Sequence, residues 1–100
     1  MLHMIVATHG PETCPGAVPA LREKMVQGMQ KMDQVMGAQG VTAQGGWVNM
    51  PAHQIFMLVD APNAHVVNKV VMELGLMDWN TVIVNAVIPL QEAVSTAAQR

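Results

Sequence analysis

The chain has 100 residues, of which 51% are hydrophobic and only 12% are charged, and its formal net charge is −2. This length suits one domain, and the few basic residues are too scattered to hold nucleic acid or an anionic membrane surface. Because there is one cysteine, no signal-peptide pattern at the start and no apolar run of roughly 18 residues, we expect a cytoplasmic protein without an internal disulfide or a membrane helix.

The first half of the chain predicts a strand, a loop, a helix and a second strand. Leu2–Thr8 is short, apolar and partly β-branched, as strands are, and the Gly and Pro residues of 9–16 then predict a loop. In 17–36 apolar residues recur every three or four positions, which predicts an amphipathic helix whose methionines pack in the core. Residues 41–48 predict a strand, in which two adjacent glycines favour a β-bulge.

The second half predicts a strand, a helix and a last strand. These elements are a strand over 53–59, a helix from 60–63 to about residue 74, and a strand over 81–90. The helix begins with a small capping sequence, Asp-Ala-Pro-Asn, and Gly75 is its expected C-terminal cap. The tail, 91–100, predicts a short or frayed helix.

The order β-α-β-β-α-β indicates the ferredoxin-like fold. This is an α+β fold with a four-stranded antiparallel sheet of order 4-1-3-2 and both helices on one face. A sheet with one face in water alternates apolar and polar residues, whereas the first, third and fourth strands contain consecutive apolar residues. We expect a single domain over 1–100, with its core in about 2–90. Because the helices cover only one face of the sheet, we expect a homodimer that forms through the other face.

The predicted fold brings two histidines to one end of the sheet. The first strand ends at His9, and its antiparallel neighbour begins at His53. If these two residues pair, the odd-numbered positions of both strands share one face, because side chains alternate along a strand. The turn between the second and third strands then predicts Trp47 on that face as well.

A cysteine joins them from the loop. Cys14 lies just before the first predicted helix, whose dipole favours a thiolate, and Glu12 lies in the same loop. His3 and His65 map to the opposite end of the sheet. We therefore take His9, Cys14 and His53 as the candidate site.

Two imidazoles and one thiolate are ligands suited to zinc or copper, with a methionine or carboxylate as a fourth ligand. The same three side chains also suit catalysis without a cofactor. In that case Cys14 is a nucleophile, or one histidine is the general base of an isomerase or monooxygenase beside a pocket for a small apolar ligand. A third interpretation is a non-catalytic ligand-sensing or accessory subunit. Plain structural roles for the cysteine and the histidines remain open as well.

Three segments, THGPETCPG, GWVNMPAHQIFMLVDAPN and WNTVIVNAVIPLQEA, resemble uncharacterised small bacterial proteins with a TH-x-PE-x-CP loop. We place that family in the dimeric α+β barrel superfamily. The resemblance implies two ferredoxin-like units packed sheet to sheet. Other members of the superfamily include haem-degrading and quinol monooxygenases, muconolactone isomerase and chlorite dismutase, and many have a small apolar pocket. The matching loop carries His9, Glu12 and Cys14, and the matching hairpin carries His53, but the fold alone does not choose among these activities.

Overall fold

The structure is a computed structural model that describes residues 1–99. This part of the chain contains four strands and three α-helices. In chain order they are β1 (Leu2–Thr8), α1 (Pro19–Ala38), β2 (Thr42–Asn49), β3 (Gln54–Asp60), α2 (Ala64–Glu73), β4 (Thr81–Val87) and α3 (Leu90–Ala98). The predicted tail helix exists as α3, and its last predicted residue, Arg100, lies outside the described residues.

The sheet is antiparallel with the order β2-β3-β1-β4. This is the predicted order, and it confirms the α+β class and is compatible with a ferredoxin-like fold. β1 has the predicted bounds, whereas β4 ends earlier than predicted, at Val87. Pro89 explains the difference, because proline has no N–H to donate to a strand ladder, and it forms the N-cap of α3 instead.

The strand registers decide which side chains share a face. Ile5 pairs with Met57, so the odd-numbered residues of β1 and β3 share one face, as predicted. The register shift between Ala43 and Gly45 confirms the predicted bulge. The prediction for Trp47 is wrong, because Trp47 pairs with Phe56 and therefore shares the opposite, even-numbered face. Asn49 pairs with Gln54, so the turn covers residues 50–53 and is one residue shorter than the turn over 49–53 on which that prediction rests. This difference of one residue reverses the alternation of side chains in β2 next to the turn.

The core lies between α2 and the odd-numbered face of the sheet. Val67, Val70 and Val71 of α2 are buried there against residues such as Ile5 of β1. Burying a side chain of this size contributes about 1.5–3 kcal/mol. The predicted caps are present: the Asn63 side chain accepts a hydrogen bond from the Val66 N–H at 3.0 Å, and Gly75 has a φ of +74°.

Helix α1 is packed much more loosely than predicted. Of its 20 residues only Gly28 and Met36 are buried, whereas Met29 is 60% exposed. The prediction that its methionines pack in the core therefore holds for Met36 and fails for Met29. The side of α1 that faces β2 and β3 borders an open cleft.

The even-numbered face of the sheet carries apolar side chains without helical cover from α1 or α2. Leu2, Met4 and Val6 of β1 are half-buried there, and Ile83 of β4 is 57% exposed. Helix α3 has no buried residue and exposes Leu90. Within residues 1–99, no helix combines the length and apolar character needed to cross a membrane.

Candidate functional site

Three side chains from three separate segments converge at one end of the sheet, as the sequence predicts. The ligand atoms of His9, Cys14 and His53 all lie within 4.8 Å of one another, and all three residues are half-buried. His9 follows β1, Cys14 follows the 3-10 turn Pro11–Thr13, and His53 precedes β3. Neither imidazole nor thiol is fully shielded, so a small ion or molecule can reach them.

The backbone fixes the two histidines relative to each other. The His9 N–H donates to the His53 carbonyl oxygen at 3.1 Å, which extends the β1–β3 pairing by one position beyond the strands. Their rings meet edge to face, with centroids 5.2 Å apart and an interplanar angle of 67°. The convergence of these imidazoles therefore follows from the strand register and does not depend on a flexible loop.

Asn80 determines which nitrogen of His9 is available. The Asn80 Nδ2 donates to the Leu76 carbonyl at 3.0 Å, so its Oδ1 is the atom that lies 3.0 Å from His9 Nδ1. An amide oxygen accepts only, so His9 Nδ1 carries the hydrogen. The neutral ring then has its lone pair on Nε2. Metal-binding histidines are commonly oriented in this way, by a hydrogen bond from the other ring nitrogen to an oxygen atom.

His53 has an unusual backbone conformation. Its φ is +53°, which makes it the sole non-glycine residue with positive φ among those described. It closes the turn before β3, where its N–H donates to the Met50 carbonyl at 3.2 Å. A left-handed conformation costs about 1–2 kcal/mol for a residue with a Cβ. Glycine is the residue best suited to this conformation, so histidine at this position favours a role for the imidazole.

Cys14 is positioned by its loop and not by a helix end. Its carbonyl oxygen accepts the N–H groups of Ala17 and Val18, both at 2.9 Å, and α1 starts only at Pro19. The expected effect of the helix dipole on Cys14 therefore loses its basis, because the dipole acts mainly within the first turn. The early start predicted for α1 was wrong because a tight turn precedes the helix.

An arginine holds this loop in place. Arg22 of α1 donates through Nε to the Pro15 carbonyl and through Nη2 to the Gly16 carbonyl, each at 3.1 Å. Both acceptors follow Cys14 directly in the chain. The planar guanidinium group makes both bonds at once, which restricts the path of the loop next to the thiol.

Trp79 forms the inner wall beside His9. Its side chain is 4% exposed, and its ring lies 5.2 Å from the His9 ring at an angle of 52°. An open depression of about 510 Å³ borders His9, Trp79 and Asn80 on the surface. His9 therefore borders open space on the side of β4.

Other residues considered from the sequence lie apart from this group. Glu12 is exposed, and its carboxylate folds back beside Gly10. His3 is fully buried at the far end of β1, and His65 is exposed on α2. Among the described residues that can ligate through histidine, cysteine or carboxylate groups, the converging set is thus the predicted trio.

The sequence places Asn80 at this end of the sheet but does not predict the supporting roles of Asn80 and Arg22. The signal for Asn80 was present in the strand alternation, because Thr8 pairs with Thr81 and the next pair is therefore His9 with Asn80. Arg22 gave no comparable signal, since its bonds depend on the turn before α1.

No known protein family matches this chain, and no curated protein matches it either. The resemblance to the TH-x-PE-x-CP proteins therefore stays a prediction.

Proposed function

We propose that this protein binds one transition-metal ion per chain, zinc or copper, through His9, Cys14 and His53. The observation that carries the proposal is the mutual approach of three ligand atoms to within 4.8 Å. Zinc binds thiolate sulfur at about 2.3 Å and imidazole nitrogen at about 2.0–2.1 Å, so ligand atoms around one ion lie roughly 3.3–3.7 Å apart. Small side-chain rotations close the remaining gap.

The surroundings support a metal site with an open position. Three protein ligands are typical of catalytic zinc sites, in which water or substrate takes the fourth place. A His₂Cys set also suits copper. Asn80 supports His9 as a ligand through Nε2, and the left-handed backbone at His53 is the kind of strain that functional positions retain. The half-buried environment leaves room for an external ligand.

Metal-free catalysis is less well supported. An isomerase or monooxygenase with a histidine base needs that base to face the substrate pocket. The apolar cleft between α1 and the sheet is lined by neither His9, Cys14 nor His53. The two features meet only at Trp79, which borders both the cleft and the depression at His9. Metal binding needs no such pocket.

The proposed functional unit is a homodimer joined through the even-numbered sheet face, as in a dimeric α+β barrel. Apolar side chains such as Val6, Phe56 and Ile83 lie exposed or half-buried on this face. A contiguous apolar surface in water favours association, and a second copy supplies a matching surface. Light scattering tests this proposal: Ile83→Lys gives a monomer, whereas Met72→Lys, on the exposed side of α2, leaves the dimer intact. A monomeric wild-type protein contradicts it.

Elemental analysis and titration of tag-free protein test the metal proposal. We expect about one zinc or copper ion per chain, and we expect Cys14→Ala to abolish binding. Cobalt is the spectroscopic probe, because a thiolate ligand adds an intense sulfur-to-metal charge-transfer band that Cys14→Ala removes. His65→Ala is the matched control and keeps full binding. A protein that takes up no metal at micromolar concentration contradicts the proposal.

A further inference from the structure

We infer that the cleft between α1 and the sheet is a binding site for an uncharged, apolar small molecule, separate from the proposed metal site. The cleft has a volume of about 640 Å³ and is partly open to solvent. That volume lies within the range of about 300–1,000 Å³ that is typical of small-molecule sites. A well-packed protein interior contains few spaces larger than a water molecule, so a cleft of this size under a helix requires an explanation.

The lining of the cleft excludes a charged ligand. None of its lining residues carries a charge, and only two of them have a side-chain N–H: Trp79, and Trp47, whose side chain lies on the opposite face of the sheet. Its walls include Met25, Met29, Met32, Met57, Leu74 and Trp79. A charge placed here loses its hydration without gaining a partner, whereas an apolar molecule releases water from apolar surface. The fitting ligand is therefore neutral, with at most one or two hydrogen-bond acceptors.

Contacts along α1 keep the cleft open. Gly28 packs so closely on α2 that a Cβ at this position would lie 2.9 Å from the Leu74 carbonyl oxygen. Nearer the start of the helix, Lys24 pairs with Asp78 at 2.8 Å, although this exposed pair adds little energy. At the end of the helix, Met36 is buried and its carbonyl accepts the Val41 N–H at 2.9 Å. These attachments hold α1 in place, while Met25, Met29 and Met32 border the open cleft.

Methionines suit such a site better than branched residues. Four of the cleft methionines lie on α1, and their unbranched side chains adapt to ligands of different shape. Trp79 connects the cleft with the other site, because its buried ring borders both the cleft and His9. A ligand in the cleft therefore changes the fluorescence of Trp79 and the surroundings of His9, which contacts the same ring.

Titration with Nile red, a neutral apolar dye, tests the inference. We expect saturable binding of one dye per chain and energy transfer from Trp79, measured in a Trp47→Phe background. Gly46 lies on the cleft side of β2, and a Cβ there makes only ordinary contacts, so Gly46→Leu fills the cleft with little strain. This variant should weaken dye binding at least about ten-fold. Gly37→Leu, with open space around its position on α1, is the matched control and keeps the wild-type affinity.

Further variants keep the test decisive. If Gly46→Leu does not fold, Met29→Glu places a carboxylate at the exposed mouth of the cleft and should weaken binding by a similar factor. Cys14→Ala should leave dye binding unchanged, which separates this site from the metal site. Absence of saturable binding overturns the inference. Dye binding that Ile83→Lys removes while Gly46→Leu preserves it overturns it as well, since the dye then occupies the even-numbered sheet face or the dimer interface formed on it.

Discussion

His3, in β1, and His9, directly after β1, lie on the same face of the sheet but have different surroundings. In each, Nδ1 donates to an oxygen: the Met1 carbonyl for His3 at 3.2 Å, and the Asn80 side chain for His9 at 3.0 Å. Each therefore keeps the lone pair of Nε2. His3 is completely buried and its Nε2 has no hydrogen-bond partner among the described residues, whereas His9 is half-buried and directed toward a thiol and a second imidazole.

The comparison separates the chemistry of a residue from the chemistry of its site. An identical tautomer makes a ligand only where other donors converge and a metal can enter. In the core near His3, an unpaired Nε2 is a cost, because a buried acceptor has lost water without a replacement. At the rim of the sheet, the lone pair of His9 Nε2 is available to bind a metal ion.

Substitution of His9 should weaken metal binding, whereas substitution of His3 should not. His9→Ala should weaken the affinity for zinc by more than about 100-fold, which is the upper range for changes that only affect supporting groups. His3→Leu should leave the affinity unchanged, because His3 lies at the other end of β1. Competition with a chelating indicator measures both affinities. Equal losses in the two variants contradict the assignment of His9 as a ligand.

The supporting bond at His9 should matter less than the ligand itself. Asn80→Leu removes the oxygen that orients the ring and should lower metal affinity by about 10–100-fold. Asn80→Asp keeps an oxygen acceptor for Nδ1 and should retain most of the affinity.

Comparison of Asn80→Leu with Asn80→Asp tests whether Asn80 orients the His9 ring. Nitrogen NMR shifts of His9 report the tautomer directly, and we expect the Nδ1–H form to persist in Asn80→Asp and to be lost in Asn80→Leu. If both variants lose affinity equally and keep the same tautomer, Asn80 has only a structural role through its bond to the Leu76 carbonyl.

The strands and the convergence of the trio were predictable because they follow from local periodicity and a two-residue alternation. The pairing of His9 with His53 needs only the strand order and the register. The position of Trp47 was not predictable, because it depends on the exact length of the turn before β3: Asn49 pairs with Gln54, which makes the turn one residue shorter than predicted. The loose packing of α1 was hidden for another reason: a stripe of methionines looks the same whether it faces a filled core or an open cleft.

His53→Gly should separate stability from binding. Glycine accepts a φ of +53° without strain but increases the entropy of the unfolded chain, and the two effects nearly cancel. The free energy of unfolding of the metal-free protein should therefore stay equal or rise by up to about 1 kcal/mol, while metal binding is lost. Urea unfolding measures the first quantity. A decrease above about 1 kcal/mol means that the imidazole also stabilises the metal-free fold.

The smallest effect is expected at His3, although it is among the most deeply buried residues. Substitution by leucine, of similar volume, removes the unpaired Nε2. The Met1 carbonyl remains paired, because it also accepts the Ala61 N–H at 2.8 Å. The free energy of unfolding should change by less than about 1 kcal/mol, whereas Ile5→Ala, on the same face of the same strand, should lose about 2–5 kcal/mol. If His3→Leu is as damaging as Ile5→Ala, then His3 has a partner in solution, and its contrast with His9 disappears.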